Sequence, residues 1–191
     1  MYERGREMKK LCMIVSALLV ITVVASGYRN INRKIPPTKL ISTEVGDKIE
    51  FQEDIYISVV SSELLSEQET QENMKDIGNV LLGVRYLKVE LLLENQSKEE
   101  KEVIMTDLNM ESLGMSNGIS LEGTKVLSED GTIRPKVEPM SEKEVTVVYE
   151  VLSNSITERE WKHIEDREIW LTFTQYPEKK MLQLECGGRN R

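Results

Sequence analysis

Residues 11–27 read LCMIVSALLVITVVASG, a run of 17 positions without one charge. It is apolar around its whole circumference, so it cannot be a surface helix, which must keep one polar face. Its length sits at the lower limit of a bilayer span and slightly above a typical signal-peptide core. A basic flank precedes it (Arg4, Arg6, Lys9, Lys10), and Ala25 and Gly27 have the small character of a cleavage site that would release a chain starting at Tyr28. Against cleavage, Tyr28 is an aromatic residue suited to the membrane interface and extends the span. The expectation is an uncleaved anchor over 11–28, with a cleaved signal peptide as the alternative. The residues before Cys12 are Lys9, Lys10 and Leu11, not the small and apolar pattern of a lipobox.

Charge divides the chain at the same place. Residues 1–34 carry seven Lys/Arg against two acids, a net of +5, so the whole-chain charge of −8 leaves −13 on residues 35–191. So acidic a region repels nucleic acid and anionic headgroups, which removes nucleic acid as an expected partner. Four basic residues before the apolar run and three just after it give little orientation by charge. Exporting the long C-terminal part is more usual than translocating a short basic tail. Hence residues 1–10 are expected as a cytoplasmic tail and the large domain outside a single-pass membrane segment, or secreted if the chain is cut before Tyr28.

Behind the run, Arg29–Thr38 (RNINRKIPPT) reads as a stalk that Pro36-Pro37 keeps extended. Residues 39–186 read as strands. Lys39–Val45, Lys48–Phe51 and Asp54–Leu64 are separated by turn residues. Tyr86–Asn95 then places Leu87, Val89, Leu91 and Leu93 on one face and Lys88, Glu90 and Glu94 on the other. Asn95-Gln96-Ser97-Lys98 closes it as a turn and Glu102–Thr106 returns. Lys125–Leu127 and Thr132–Arg134 flank an Asp130-Gly131 hairpin signal. Glu144–Val151 alternates again, and Glu168–Thr174 and Lys180–Cys186 close the domain. Two stretches break the pattern: 65–80, read as a long acidic loop with a helical turn, and 107–123, a Met-, Ser- and Gly-rich connection. Thr157 and Glu160 form a capping box, and Ile156 with Trp161 has hydrophobic-staple spacing, so one short helix is expected there. The prediction is an all-β chain: an antiparallel immunoglobulin-like β-sandwich of about eight strands, one short helical turn, an N-terminal hydrophobic helix, and a frayed tail at 187–191.

Four stretches carry a resemblance: the apolar run followed by RNINRKIPPTKL, then VGDKIEF, YLKVELLLENQSKEEKEV and MSEKEVTVVYEV. Together the chain resembles the uncharacterised membrane-anchored or secreted Ig-like domains of Gram-positive bacteria grouped with telokin-like extracellular domains. The likeness covers most of residues 35–186 and consists of strand patterns. It implies an immunoglobulin-like sandwich outside the membrane and supplies no catalytic residues. The 107–123 connection and the turn at 157–163 depart from the common pattern.

Chemistry-bearing constellations are few. Asp107, Asn109 and Glu111 occupy the first three ligand offsets of a calcium loop, but Ser112 stands where the turn glycine belongs and Gly118 where the bidentate acid belongs. The only histidine is His163, no GxSxG or S-x-x-K set appears, and no phosphate-binding loop is present. Cys12 and Cys186 form no CxxC, and Cys12 lies in the apolar run, so neither a disulfide nor a zinc site is expected. Asn95-Gln96-Ser97 matches a glycosylation sequon but reads as turn chemistry. Met105, Met110, Met115 and Met140 read as gap-fillers. The acids Glu94, Glu99, Glu100 and Glu102 read as a solvated edge that discourages aggregation. The expected function is a non-enzymatic, cofactor-free surface domain that binds another cell-envelope protein or supports an envelope complex, with the 65–80 and 107–123 stretches as its candidate contact surfaces. The alternative is a ligand- or calcium-binding domain using its acidic loops.

Overall fold

The computed structural model describes residues 2–75 and 82–185. The chain divides into two units, Met1–Lys39 and Leu40–Arg191. The first is the helix α1 (Tyr2–Lys34), of which Lys10–Lys34, 25 residues, is long and apolar enough to cross a membrane. A signal sequence meets the same description. The helix runs on through Arg29–Lys34, so the first half of the predicted extended stalk is helical. It stops because Pro36 disfavours the helical conformation at Ile35.

The second unit is a β-sandwich with small helices. In chain order its elements are β1 (Lys39–Thr43), β2 (Ile49–Gln52), β3 (Ile55–Leu64), α2 (Glu67–Met74), β4 (Val84–Asn95), β5 (Lys101–Glu102), β6 (Asn109–Ser112) and β7 (Met115–Asn117). Then come α3 (Leu121–Leu127), β8 (Lys136–Val137), β9 (Ser141–Leu152), α4 (Glu158–Trp161), β10 (Ile169–Phe173) and β11 (Glu178–Leu184). The described residues thus form eleven strands rather than about eight, in sheets ordered β1-β11-β10-β6-β7, β2-β3-β4-β9 and β5-β8.

Alternation builds the core. On β4, Leu87, Val89, Leu91 and Leu93 are fully buried, and the antiparallel register sets Leu87 opposite Tyr149, Val89 opposite Val147 and Leu91 opposite Val145 of β9. β3 brings Ile55, Ile57 and Val59 to the same face until a bulge between Val59 and Ser61 shifts the register. The extra residue turns Val60 outward and resets the parity, so Leu64 still reaches the core opposite Leu87. Ile169, Leu171, Phe173, Leu182 and Leu184 supply the facing layer, and Phe51 meets Phe173 edge to face across the gap at 5.1 Å. Met105, Met110 and Met115 are buried in this core, whereas Met140 is exposed.

Several further expectations are corrected. In the stretch read as an acidic loop with a helical turn, the helical part is longer than a turn: it is the eight-residue α2, whose capping box pairs Ser66 with Glu69 in both directions. The 107–123 connection is no loop: it holds a short 3₁₀ turn at Met105–Asp107, the β6–β7 hairpin and the start of α3. These pieces are three or four residues long, too short to show a period. The Asp130-Gly131 hairpin does not form either, because Lys125–Leu127 belongs to α3 and Thr132–Arg134 is not a strand. The predicted return strand Glu102–Thr106 shrinks to β5. The α4 capping box of Thr157 and Glu160 forms as its spacing requires. Cys186, the tail 187–191 and the part of the 65–80 stretch beyond 75 lie outside the described residues.

Candidate functional site

The outer face of the four-stranded sheet carries a second, smaller core. Leu65, Met74, Val84, Tyr86 and Val148 pack beneath α2 and α3. Gly123 makes that fit possible: a Cβ there would sit 2.7 Å from the Tyr86 ring and 2.8 Å from a Val148 methyl. Each helix is pinned to the sheet by one buried threonine. Thr70 Oγ1 accepts from the Tyr86 amide at 3.1 Å, and Thr124 Oγ1 accepts from the Val148 amide at 3.0 Å. Both amides lie where strand pairing runs out, Tyr86 because β3 has ended and Val148 because β9 is the sheet's last strand. A buried amide without an acceptor is costly, so the threonines replace a missing strand.

Beside Val148, residues 117–124 continue this cover along β9. The Ser120 amide donates to Val148 O at 2.7 Å, Asn117 Nδ2 donates to Glu150 O at 2.6 Å, and Ile119 bridges to Tyr149. Ser120 Oγ donates to Glu150 Oε1 at 2.9 Å and caps α3 by accepting from Gly123 N. The Tyr86 hydroxyl donates to the same carboxylate oxygen at 3.3 Å. Burial first, and then the Glu150 charge, push the Tyr86 phenol above its ordinary range.

The other half of β9 is different. Val148 turns its amide and carbonyl to the outside of the sheet, and the register with β4 is regular, so Thr146, Glu144 and Glu142 turn theirs the same way. Among the described residues these outward groups meet no hydrogen-bonding partner. A groove of about 480 Å³ runs beside Glu144 and Thr146, with Leu127–Asp130 as its other wall. The wall is self-supporting: Gly131 N donates to Ser128 Oγ at 2.8 Å, and Thr132 N donates to Asp130 Oδ1 at 3.3 Å. The two lysines lining the groove are spoken for, Lys88 by Glu90 at 2.8 Å and Lys143 by Asp130 at 3.4 Å. Hydrogen bonds from Lys88 and then from Ser61 hold the Glu90 carboxyl below its ordinary range. Glu142 and Glu144 are exposed and form no ion pair among the described residues. In the sequence, Glu144–Val151 shows a strand but not which side of it lacks a neighbour.

The residues singled out in the sequence do not converge. Asp107 ends the 3₁₀ turn, whereas Asn109 and Glu111 stand two apart on β6, with Asn109 Nδ2 donating to Asp107 O at 3.3 Å. Strand geometry aligns Asn109 and Glu111 along one face rather than wrapping them about a centre. Glu111 is paired with Lys179. Burial works against its ionisation, but hydrogen bonds from Lys179 and Thr172 outweigh it and hold the carboxyl below its ordinary range. Among the described residues no three His, Cys, Asp or Glu side chains are grouped to hold a metal.

His163 is exposed, 3.5 Å from Asp166. Beside it Arg167 donates to the carbonyl of Leu113 at the tip of the β6–β7 hairpin and faces Glu160 at 3.5 Å. Asn95, the sequon asparagine, is buried. Its Nδ2 donates to Glu99 O at 2.8 Å and Val137 O at 2.9 Å, and its Oδ1 accepts from Ser97 N at 2.9 Å. The sequon is turn chemistry.

Among solved structures the chain is similar to an uncharacterised β-sandwich protein from Clostridium difficile 630, at 16% identity and a TM-score of 0.43 over 76% of this chain and 95% of that one. It is similar to a putative lipoprotein (ycdA) from Bacillus subtilis, at 12% identity and a TM-score of 0.41 over 72% of this chain and 38% of that one. It is also similar to a secreted protein, MPT63, from Mycobacterium tuberculosis, at 8% identity and a TM-score of 0.46 over 75% of this chain and 96% of that one. No curated protein matches the sequence. A family model matches residues 40–180, essentially the whole sandwich unit, and the chain belongs to that family, the domain of unknown function DUF5028.

Proposed function

We propose that this protein is a non-enzymatic domain of the cell envelope, held at or delivered across a membrane by its N-terminal helix, whose immunoglobulin-like sandwich binds another envelope protein outside. The observation that carries the reading is an open strand edge, Glu142–Thr146, on a rigid sandwich that follows a helix able to span a bilayer. Recognition surfaces of this kind need rigidity and unsatisfied groups rather than reactive ones. The immunoglobulin-like assignment rests on the two facing sheets and on the resemblance to Gram-positive surface domains. The acidic charge of residues 35–191 keeps the domain away from nucleic acid and anionic headgroups, leaving protein surfaces of opposite charge as its natural contacts.

The test is site-specific photo-crosslinking of the full chain in intact cells. A photoreactive residue is placed in turn at exposed positions around the sandwich, among them Glu144, Leu113 and Lys98. A discrete protein adduct from at least one position is expected. No adduct from any position, with the protein folded and exported, overturns the reading.

A further inference from the structure

Resting on that partner-binding reading, we propose that the open half of β9 takes an extended, basic segment of the partner as an added strand. Three features of the molecule lead there. Among the described residues the main-chain groups of Glu142, Glu144 and Thr146, which point out of the sheet, have no partner, although the same edge at Val148 and Glu150 is covered by residues 117–124. A strand edge left open in one half and closed in the other is a template for a strand that is not part of this chain. A groove of about 480 Å³ already lies alongside it, so the added strand has a place without unfolding the Leu127–Asp130 wall.

Charge selects the occupant. Along the added strand, alternate side chains would lie opposite Glu142 and Glu144, both exposed and without an ion pair among the described residues, and Glu129 stands exposed in the wall. Cross-strand pairs of opposite charge stabilise a ladder and like charges oppose it. A second copy of this chain is therefore disfavoured. Antiparallel self-pairing centred on the open stretch sets Glu144 against its own counterpart, in a domain that is already acidic. A segment with lysine or arginine at alternate positions meets both requirements at once, main-chain pairing and compensating charge. The nearby lysines are engaged by other acids, Lys88 by Glu90, Lys143 by Asp130 and Lys48, whose charge also reaches Glu142, by Glu94.

The experiment uses the full chain in detergent micelles and a fluorescent peptide of alternating lysine and valine, followed by anisotropy. Saturable binding is expected, with the amides of Glu142, Glu144 and Thr146 gaining protection from hydrogen exchange. The double variant Glu142→Lys/Glu144→Lys is expected to weaken binding by about tenfold or more. Both side chains are solvent-exposed, and Glu142→Gln/Glu144→Gln, which adds no new charge, is expected to give a smaller loss of the same sign. Methylating alternate peptide amides is expected to abolish binding, because only main-chain pairing needs them. Equal binding by the charge-reversed protein, undiminished binding of the methylated peptide, no binding at all, or a dimer of the chain through this edge overturns the proposal. Cellular adducts that form at other positions but never at Glu144 also overturn it, and leave the partner-binding reading standing.

Discussion

Asn95 shows how one side chain can join three parts of a sandwich. It ends β4, its amide reaches Val137 of the β5-β8 pair, and its carbonyl oxygen holds the Ser97 turn. Removing it leaves buried acceptors facing nothing, which costs far more than a surface contact. Asn95→Ala is expected to lower stability by about 2–4 kcal/mol in urea denaturation, and a change within the scatter of surface substitutions would contradict this network. Tyr149 is the opposite case. Its ring fills the core opposite Leu87, but its buried hydroxyl has no partner among the described residues, and burial alone drives its ionisation far above the ordinary range. Tyr149→Phe keeps the ring and deletes the unpaired group, so it is expected to stabilise the fold by about 1 kcal/mol in the same measurement. The sequence could place Tyr149 on the inner face of its strand by alternation. It could not show whether an acceptor faces the hydroxyl, because that depends on the opposite sheet.

At the scale of elements, legibility followed length. The strands of β4 and β9, twelve residues each, were visible from their period, and so was the α4 capping box. The same capping signature stood at Ser66–Glu69 without a flanking apolar pattern, since α2 buries only Thr70 and Met74. Strands as short as β6 and β7 contain too few residues to alternate detectably. Helix α3 was hidden for a further reason: its first turn carries Gly123, which lowers helix propensity by about 1 kcal/mol relative to alanine. Propensity alone therefore argues that Gly123→Ala should stabilise the protein. The contacts argue otherwise, since the new methyl would lie 2.7 Å from Tyr86 and 2.8 Å from Val148, both buried and unable to retreat. Overpacking of this kind costs about 1–3 kcal/mol and outweighs the propensity gain. A net destabilisation is expected, together with faster hydrogen exchange at the Val148 amide as α3 lifts and Thr124 loses its bond. Stabilisation with unchanged exchange would mean that α3 does not seat as described.

For the whole molecule, the governing feature is the contrast between an apolar helix carrying a basic tail and an acidic sandwich. Flanking charges give that helix little orientational bias, so the placement of the sandwich has to be read by chemistry. With Cys12 and Cys186 replaced by serine, a single cysteine introduced by Lys98→Cys sits at an exposed turn of the sandwich. On intact cells, a membrane-impermeant maleimide is expected to label this variant fully. A cysteine introduced in its place at Arg6, ahead of the apolar run, is expected to react only after the cells are opened. The reverse pattern puts the sandwich inside and removes the envelope partner with it. Intact mass of the purified protein separates anchor from signal peptide in the same preparation. A chain beginning at Met1 remains in the membrane pellet through alkaline carbonate extraction, because releasing a helix of this length would expose its whole apolar surface to water. A chain beginning at Tyr28 has lost most of that surface and is expected in the soluble fraction, where the acidic sandwich alone decides its behaviour.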